Sequence, residues 1–183
     1  MRIWRLQAVP PVLAALIALL ALHSPPNAYA NRAESSELSE LLSAANDEAI
    51  ELASDADETQ LLVVSDSNWL SHAILLNKVK AHVDNMASII DKLSKAAKSG
   101  SPLQEEAANR MLALVRELSG NTTAALNYLN QHKDRPTAEI YREYLEKNAE
   151  AAHQLSSMIS SLYDYQMSMK EIDKLRSKLD TSD

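Results

Sequence analysis

Residues 69–97 read WLSHAILLNKVKAHVDNMASIIDKLSKAA and carry the pattern that decides the fold. Mostly apolar residues recur at every seventh position, and a second set follows three positions after the first. The first set is Trp69, Leu76, Val83, Ile90 and Ala97, and the second is His72, Val79, Met86 and Leu93. Alternating intervals of three and four residues are typical of the buried seam of a helix that packs against other helices. The segment therefore predicts an amphipathic helix.

Three further segments have a similar apolar stripe. The first runs from residue 35 to about 64. We predict that it ends at Ser65–Asn68, because these polar residues are suited to capping the next helix. An earlier end is the alternative, since Ser54 and Asp57 have the spacing of a capping box. Ser101 and Pro102 mark the start of another, and Pro136 opens the last, which is much the longest. Short connections between four such helices predict an all-α fold: an up-and-down antiparallel four-helix bundle with a long overhanging C-terminal helix.

The stripe of the third helix is predicted to hold these side chains on one face: Ala107, Met111, Leu114, Leu118, Ala125 and Leu129.

Residues 1–30 have the features of a cleaved secretory signal peptide. Arg2 and Arg5 precede an apolar run, and Ala28 and Ala30 supply the small-x-small site that signal peptidase recognises. The alternative, a retained membrane anchor, is disfavoured because the run is interrupted by prolines and is shorter than the ~20 residues that span a bilayer. We therefore expect a single domain over residues 31–183, located in the periplasm or outside the cell, with no membrane span after cleavage.

Charge and composition exclude several classes of function. Cleavage removes two arginines and no acidic residue, so the net charge changes from −7 to −9, which disfavours nucleic acid as a partner. The chain has no cysteine and two glycines, and neither a serine elbow nor a phosphate-binding loop is present. We predict no catalytic residue, no metal site and no cofactor, and hence a protein that is not an enzyme.

Polar residues interrupt the seams of the third and fourth helices near mid-height. Asn121 and Asn148 are expected to face each other there, with Thr122 alongside, because antiparallel pairing brings them to matching heights. A buried amide pair fixes the register of two helices, since only one alignment satisfies both side chains. We predict a structural polar layer, with a small polar ligand site as the alternative.

One end of the bundle is predicted to gather aromatic and imidazole side chains from three helices. These are Trp69, His72, Tyr128, His132 and Tyr141. Two imidazoles among phenols are able to bind a small ligand, haem or a transition metal. Because no carboxylate joins them with ligand spacing, an aromatic layer that closes the bundle is the structural alternative.

Other titratable residues are assigned no function. His82 is expected to flank the seam and His153 to lie on the outer face of its helix. The acidic residues Asp55, Asp57 and Glu58 are expected to lie on solvated faces or near helix starts.

The last helix continues its apolar stripe beyond the height at which the third helix begins. The stripe consists of Met169, Ile172, Leu175 and Leu179. A stripe without an intramolecular partner favours an intermolecular one. The alternative is that the amino-terminal segment or solvent covers the stripe. The sequence thus predicts an exported bundle that acts through protein–protein contact or as an envelope accessory protein. Its partner would be a second copy or another envelope protein. The alternative is a small-ligand, haem or metal carrier that uses the aromatic end.

Residues 68–72 (NWLSH), 121–123 (NTT), 127–130 (NYLN) and 144–150 (YLEKNAE) resemble predicted exported all-helical bacterial proteins of unknown function. The resemblance covers the chain from the second helix onward. It implies a helical bundle and export, and it implies no activity.

Overall fold

The computed structural model describes residues 30–63, 68–97, 102–133 and 138–180, and these form four helices. Their bounds are α1 Ala30–Leu62, α2 Trp69–Ala97, α3 Pro102–Gln131 and α4 Glu139–Asp180. Around the bundle, α1 packs on α2, α2 on α3, α3 on α4, and α4 returns to α1. The prediction of an all-α four-helix bundle with an extended last helix is confirmed.

The predicted signal peptide lies outside the described residues except for Ala30. None of the described helices contains a segment that is both long enough and apolar enough to cross a lipid bilayer.

Helix ends follow local capping chemistry where they are described. Asn68 caps α2, because its Oδ1 accepts from the backbone N–H groups of Leu70 at 3.0 Å and Ser71 at 3.1 Å. The predicted later end of the first helix is confirmed, since α1 continues through Ser54 to Leu62. The fourth helix begins at Glu139, three residues later than predicted, and Pro136 lies outside the described residues.

The predicted seam of α2 is the buried face of that helix. Leu76, Val79, Met86 and Ile90 are fully buried, and Val83 and Leu93 are at most 4% exposed. Burying such side chains is the main source of stability in a chain of this size, since each contributes about 1.5–3 kcal/mol.

The buried face of α3 differs by one residue from the predicted face at two turns. Val115 is 3% exposed, whereas the predicted Leu114 is half-buried, and Thr122 is buried while its neighbour Asn121 is half-buried. The residues of the observed seam are separated by intervals of three and four residues in strict alternation, whereas those of the predicted seam are not. Its members are Ala108, Met111, Val115, Leu118, Thr122, Ala125 and Leu129.

Apolar packing is divided between a long body and a smaller end cluster. The body contains residues from all four helices, including the alanines Ala45, Ala49 and Ala152. The end cluster joins Val63, Leu76, Ala125, Leu129, Tyr141 and Leu145. This second cluster surrounds the predicted aromatic end and therefore positions the candidate site.

We predict that Leu155→Ala lowers the free energy of unfolding by about 2–5 kcal/mol, because the side chain is fully buried and its removal leaves a cavity. The matched control is Leu61→Ala on α1, where a 65% exposed leucine should change stability by no more than about 0.5 kcal/mol. Urea unfolding followed by circular dichroism measures both values. Equal effects of the two substitutions would contradict the described packing.

Candidate functional site

The candidate site is centred on His72, near the start of α2, and Tyr141, near the start of α4. Both side chains are fully buried. His72 Nδ1 lies 3.0 Å from Tyr141 Oη. The rings meet edge to face, with centroids 5.4 Å apart and planes at 62°. The contact therefore joins α2 to α4 across the bundle.

The other predicted residues extend this pair toward solvent. Tyr128 of α3 stacks on Tyr141 with centroids 5.8 Å apart, and His132 lies 4.5 Å from Tyr128. Trp69 packs against the same apolar cluster, and Lys133 Nζ lies 4.5 Å above its ring. The structure thus brings all five predicted residues to one end of the bundle, with His72 buried and His132 exposed at the surface.

The available hydrogen-bond partners indicate which atom of the His72–Tyr141 pair donates the shared proton. Among the described residues, no polar atom lies within hydrogen-bonding reach of His72 Nε2. If the tyrosine hydroxyl donates to Nδ1, only the Nε2 hydrogen lacks a partner. If Nδ1 donates instead, both the hydroxyl hydrogen and the Nε2 lone pair lack one. Because buried unpaired polar groups are costly, the first arrangement is favoured.

Burial keeps both groups uncharged. Desolvation lowers the pKa of His72 below its ordinary value of 6.5 and raises the pKa of Tyr141. The pair is therefore a neutral hydrogen bond over the physiological range, and the imidazole is not a cation that could attract an anion.

The contacts of this end are those of a packed aromatic layer, in which His72 Nε2 is buried without a hydrogen-bond partner among the described residues. In the part of the chain that the structure describes, no three His, Asp or Glu side chains are arranged to hold a metal ion. Binding at Nε2 would require the layer to open, because the ring has no exposed surface.

The mid-height polar layer pairs different residues from those predicted. Asn148 Nδ2 donates to Thr122 Oγ1 at 3.1 Å, and both side chains are buried. The predicted Asn121–Asn148 pair is wrong, because Thr122 rather than Asn121 occupies the seam of α3. Asn121 Nδ2 and Asn148 Oδ1 are buried without a hydrogen-bond partner among the described residues.

A charged network between α1 and α2 was not predicted. His82 Nδ1 lies 2.6 Å from Glu48 Oε1, and its Nε2 lies 3.1 Å from Asp55 Oδ2. Lys78 Nζ donates to Asp55 Oδ1 at 2.9 Å, and Asn85 Nδ2 donates to Glu48 Oε1 at 3.2 Å. His82 therefore lies between two carboxylates of α1, and Asp55 Oδ2 has no hydrogen-bond partner among the described residues.

Asp55 corrects the expectation that the acidic cluster of α1 is solvated. It is 6% exposed, whereas Asp57 is half-buried and Glu58 exposed, as predicted for a solvated face. The sequence did carry a signal, because Glu48 and Asp55 are seven residues apart and Lys78 and His82 are four apart. Residues at such intervals share one face of a helix. His153 is exposed as predicted, and its Nε2 lies 2.9 Å from Asp57 Oδ1.

The Asn148–Thr122 bond fixes how far α4 extends past α3. Thr122 lies 20 residues after Pro102, the start of α3, and 20 residues after Asn148 in the antiparallel α4 is Ser168. Residues 169–180 therefore extend beyond α3 by ~18 Å at 1.5 Å per residue. We call this segment the α4 tail. The Lys170–Ser39 contact places it beside the first turns of α1.

Two residues of the apolar stripe, Ile172 and Leu179, lie on the flank of α4 that faces α3 in the body. Leu175 instead shares the heptad position of Gln154 and Ser168, which are exposed. His153 and Ser160, which contact α1, lie on the opposite flank. Every seventh residue on the stripe's flank is Tyr144, Ala151, Met158, Tyr165, Ile172 and Leu179. The first four are buried or half-buried, whereas Ile172 is 42% and Leu179 72% exposed. Exposure therefore rises where α3 is no longer present.

Comparison with family models, with curated proteins and with solved structures found no match to this chain.

We predict that stability decreases as the pH falls below about 6.5, partly because of His72. The folded state holds the pKa of this group below its ordinary value, so the unfolded chain takes up the proton first. The contribution is complete above pH 6.5 and is lost as the pH falls through the folded-state pKa. His72→Asn keeps an acceptor for the Tyr141 hydroxyl and removes the titration.

Urea unfolding of wild type and variant between pH 8 and pH 5 measures this contribution. The variant should lose less stability than wild type over that range. His132→Asn is the control for removal of an imidazole, because that ring is exposed in the same cluster. A His72→Asn profile parallel to wild type would show that His72 does not titrate on unfolding as described.

Proposed function

We propose that this chain is an exported, non-enzymatic four-helix bundle that acts through protein–protein contact. Its contact surface is the α4 tail. The single observation that carries the proposal is the exposure of Ile172, Leu175 and Leu179, at 42%, 50% and 72%, on one side of that tail. Adjacent exposed apolar side chains on a charged helix are typical of interaction surfaces.

The sequence at the start of α1 argues against this segment as the partner of the stripe. Lys170 contacts Ser39, and α1 and α4 run antiparallel. Residues 30–39 are therefore level with residues 170–179. Residues 30–37 read ANRAESSE and contain no apolar residue larger than alanine. The amino-terminal sequence therefore has no large apolar residue with which to cover the stripe.

Export is the second part of the proposal and is supported by residues 1–30. The arginines, the apolar run and the Ala28-x-Ala30 site support a location in the periplasm or outside the cell. A role as an envelope structural or accessory protein fits a contact surface together with export.

A small-ligand, haem or metal carrier is the second candidate function. The observation that favours it is the buried, unpartnered Nε2 of His72. Native mass spectrometry and an absorbance spectrum of the protein isolated from its host test this candidate directly. A bound mass or a Soret band that is lost in His72→Asn would favour it over the contact proposal.

We predict that Ile172→Glu with Leu175→Glu weakens the association of the exported protein by at least about tenfold. Two carboxylates in an apolar contact cost more than the roughly 1.4 kcal/mol that corresponds to a factor of ten. The control is Leu61→Glu with Ile74→Glu, which adds the same charge at side chains that are 65% and 59% exposed elsewhere. Native mass spectrometry of complexes purified from the host measures the effect. Retention of every complex by the tail variant, or equal loss in the control, would overturn the proposal.

We predict that the exported protein begins at Asn31. Cleavage after Ala30 removes the apolar run and leaves a chain that starts within α1. Intact-mass measurement and N-terminal sequencing of protein recovered from the periplasm or medium check the position. Recovery of a chain that retains residues 1–30 in the membrane fraction would contradict export with cleavage.

A further inference from the structure

The aromatic end of the bundle is closed by a buried histidine whose positive form has no partner there. We propose that protonation of His72 opens this end while the body of the bundle stays folded. Opening exposes the apolar side chains of the end cluster, so acid converts a closed layer into an apolar surface. This end is remote from the α4 tail, and its opening does not depend on the proposed contact surface.

Hydrogen bonding in the closed end has room for the neutral imidazole only. In the neutral pair the Tyr141 hydroxyl donates to His72 Nδ1, 3.0 Å away. An imidazolium donates from both ring nitrogens, so the hydroxyl would have to accept at Nδ1 and its own hydrogen would lose its acceptor. Nε2 already has no hydrogen-bond partner among the described residues. Protonation therefore leaves two buried hydrogens unpaired, which is costly.

The surroundings of His72 also lack a compensating negative charge. From residue 59 to 63 of α1 and from 69 to 76 of α2, His72 is the only titratable side chain. The titratable groups that α3 and α4 bring to this end are Tyr128, His132, Lys133, Tyr141 and Tyr144. Glu58 and Glu139 are exposed, and neither bonds to His72. A buried imidazolium would therefore be an uncompensated charge, which favours a state in which water reaches the ring.

Polar residues separate this end from the body on three of the four helices. Thr59 of α1, Thr122 of α3 and Asn148 of α4 are all buried. On each helix this residue lies between the side chains of the body cluster and those of the end cluster. Apolar packing is thus interrupted at one height, which allows the end to open as a local unit without disrupting the body.

The direction of the pH dependence follows from the two environments of His72. Desolvation holds its pKa below the ordinary value of 6.5 in the closed end, whereas an open end returns the ring to water. The open state therefore takes up the proton first as the pH falls. Below about pH 6.5, each further unit raises the ratio of open to closed molecules by up to about tenfold, until the pH reaches the closed-state pKa.

Amide hydrogen exchange followed by mass spectrometry tests this opening in the chain that starts at Asn31. Exchange is measured at pH 8 and pH 5 and corrected for the intrinsic rate at each pH. Protection should fall by about tenfold at residues 125–131 and 143–147, which belong to the end. Residues 79–93 of the body are the internal control and should keep their protection.

Trp69 supplies a second readout. Cleavage after Ala30 removes Trp4 and leaves Trp69 as the one tryptophan of the chain, packed against the end cluster. Acrylamide quenching of its fluorescence should increase between pH 8 and pH 5. The far-ultraviolet circular dichroism should stay unchanged over the same range, because the body remains helical.

Two variants distinguish the titration of His72 from a general weakening of this end. His72→Asn removes the proton-binding group, so the end should have the same protection at pH 5 as at pH 8. Tyr141→Phe deletes the hydroxyl and retains the imidazole, so its end should still lose protection in acid.

Loss of protection that is confined to the end and absent in His72→Asn supports the proposal. Equal loss in the end and in the body shows that acid unfolds the whole bundle, and overturns it. A wild-type end that stays protected at pH 5, or an equal acid response in His72→Asn, also overturns it. If His72→Asn does not fold, the ring titration of wild-type His72 by nuclear magnetic resonance decides instead: a pKa below 6.5 supports the proposal, and a higher pKa contradicts it.

Discussion

The hydrogen bond from the Asn148 amide to the Thr122 hydroxyl sets the height of α4 against α3, and the rest of the molecule depends on that height. Apolar seams alone tolerate a slide of one turn, because leucines and alanines recur along them. A slide of 5.4 Å would leave a buried amide and a buried hydroxyl without each other. The observed alignment also brings Tyr141 to Tyr128 at one end and leaves the last three turns of α4 beyond α3 at the other. The aromatic layer and the exposed stripe are two results of one register.

Electrostatics distinguish the two sides of the bundle. α1 contains nine acidic residues and one basic residue, and it lies between two helices that each direct a histidine toward it. His82 of α2 contacts Glu48 and Asp55, and His153 of α4 contacts Asp57. Exposed pairs of this kind contribute little to stability, but the network at the largely buried Asp55 is specific in geometry. The α3–α4 side, by contrast, is joined at mid-height by neutral groups. Acidic α1 is therefore matched to its two neighbours rather than to α3 across the diagonal.

Much of the fold was predictable from the sequence because the apolar pattern of α2 is regular over 29 residues. The site was predictable in outline, since the antiparallel order of the predicted helices brings His72 and Tyr141 to the same end of the bundle. The errors concerned which face of α3 is buried, and not the heights of residues along the bundle. Choosing Leu114 and Asn121 instead of Val115 and Thr122 rotated part of α3 by one residue, which replaced the true partner of Asn148 with its neighbour. The burial of Asp55 was missed for a different reason: its carboxylate is paired with Lys78, which lies on another helix.

The contacts between α4 and α1 join residues that are far apart in the chain. The hydrogen-bonded pairs on this side are separated by 96, 114 and 131 residues, for His153–Asp57, Ser160–Asn46 and Lys170–Ser39. The other three sides join consecutive helices through short connections, so their formation costs less chain entropy. Folding by successive helical hairpins is therefore favoured, with the α4–α1 side closing last. The same topology makes that side the one along which the bundle opens first, since the first turns of α1 and the last turns of α4 both belong to it. A ligand or partner that binds both of these helices would therefore slow the opening of the whole domain.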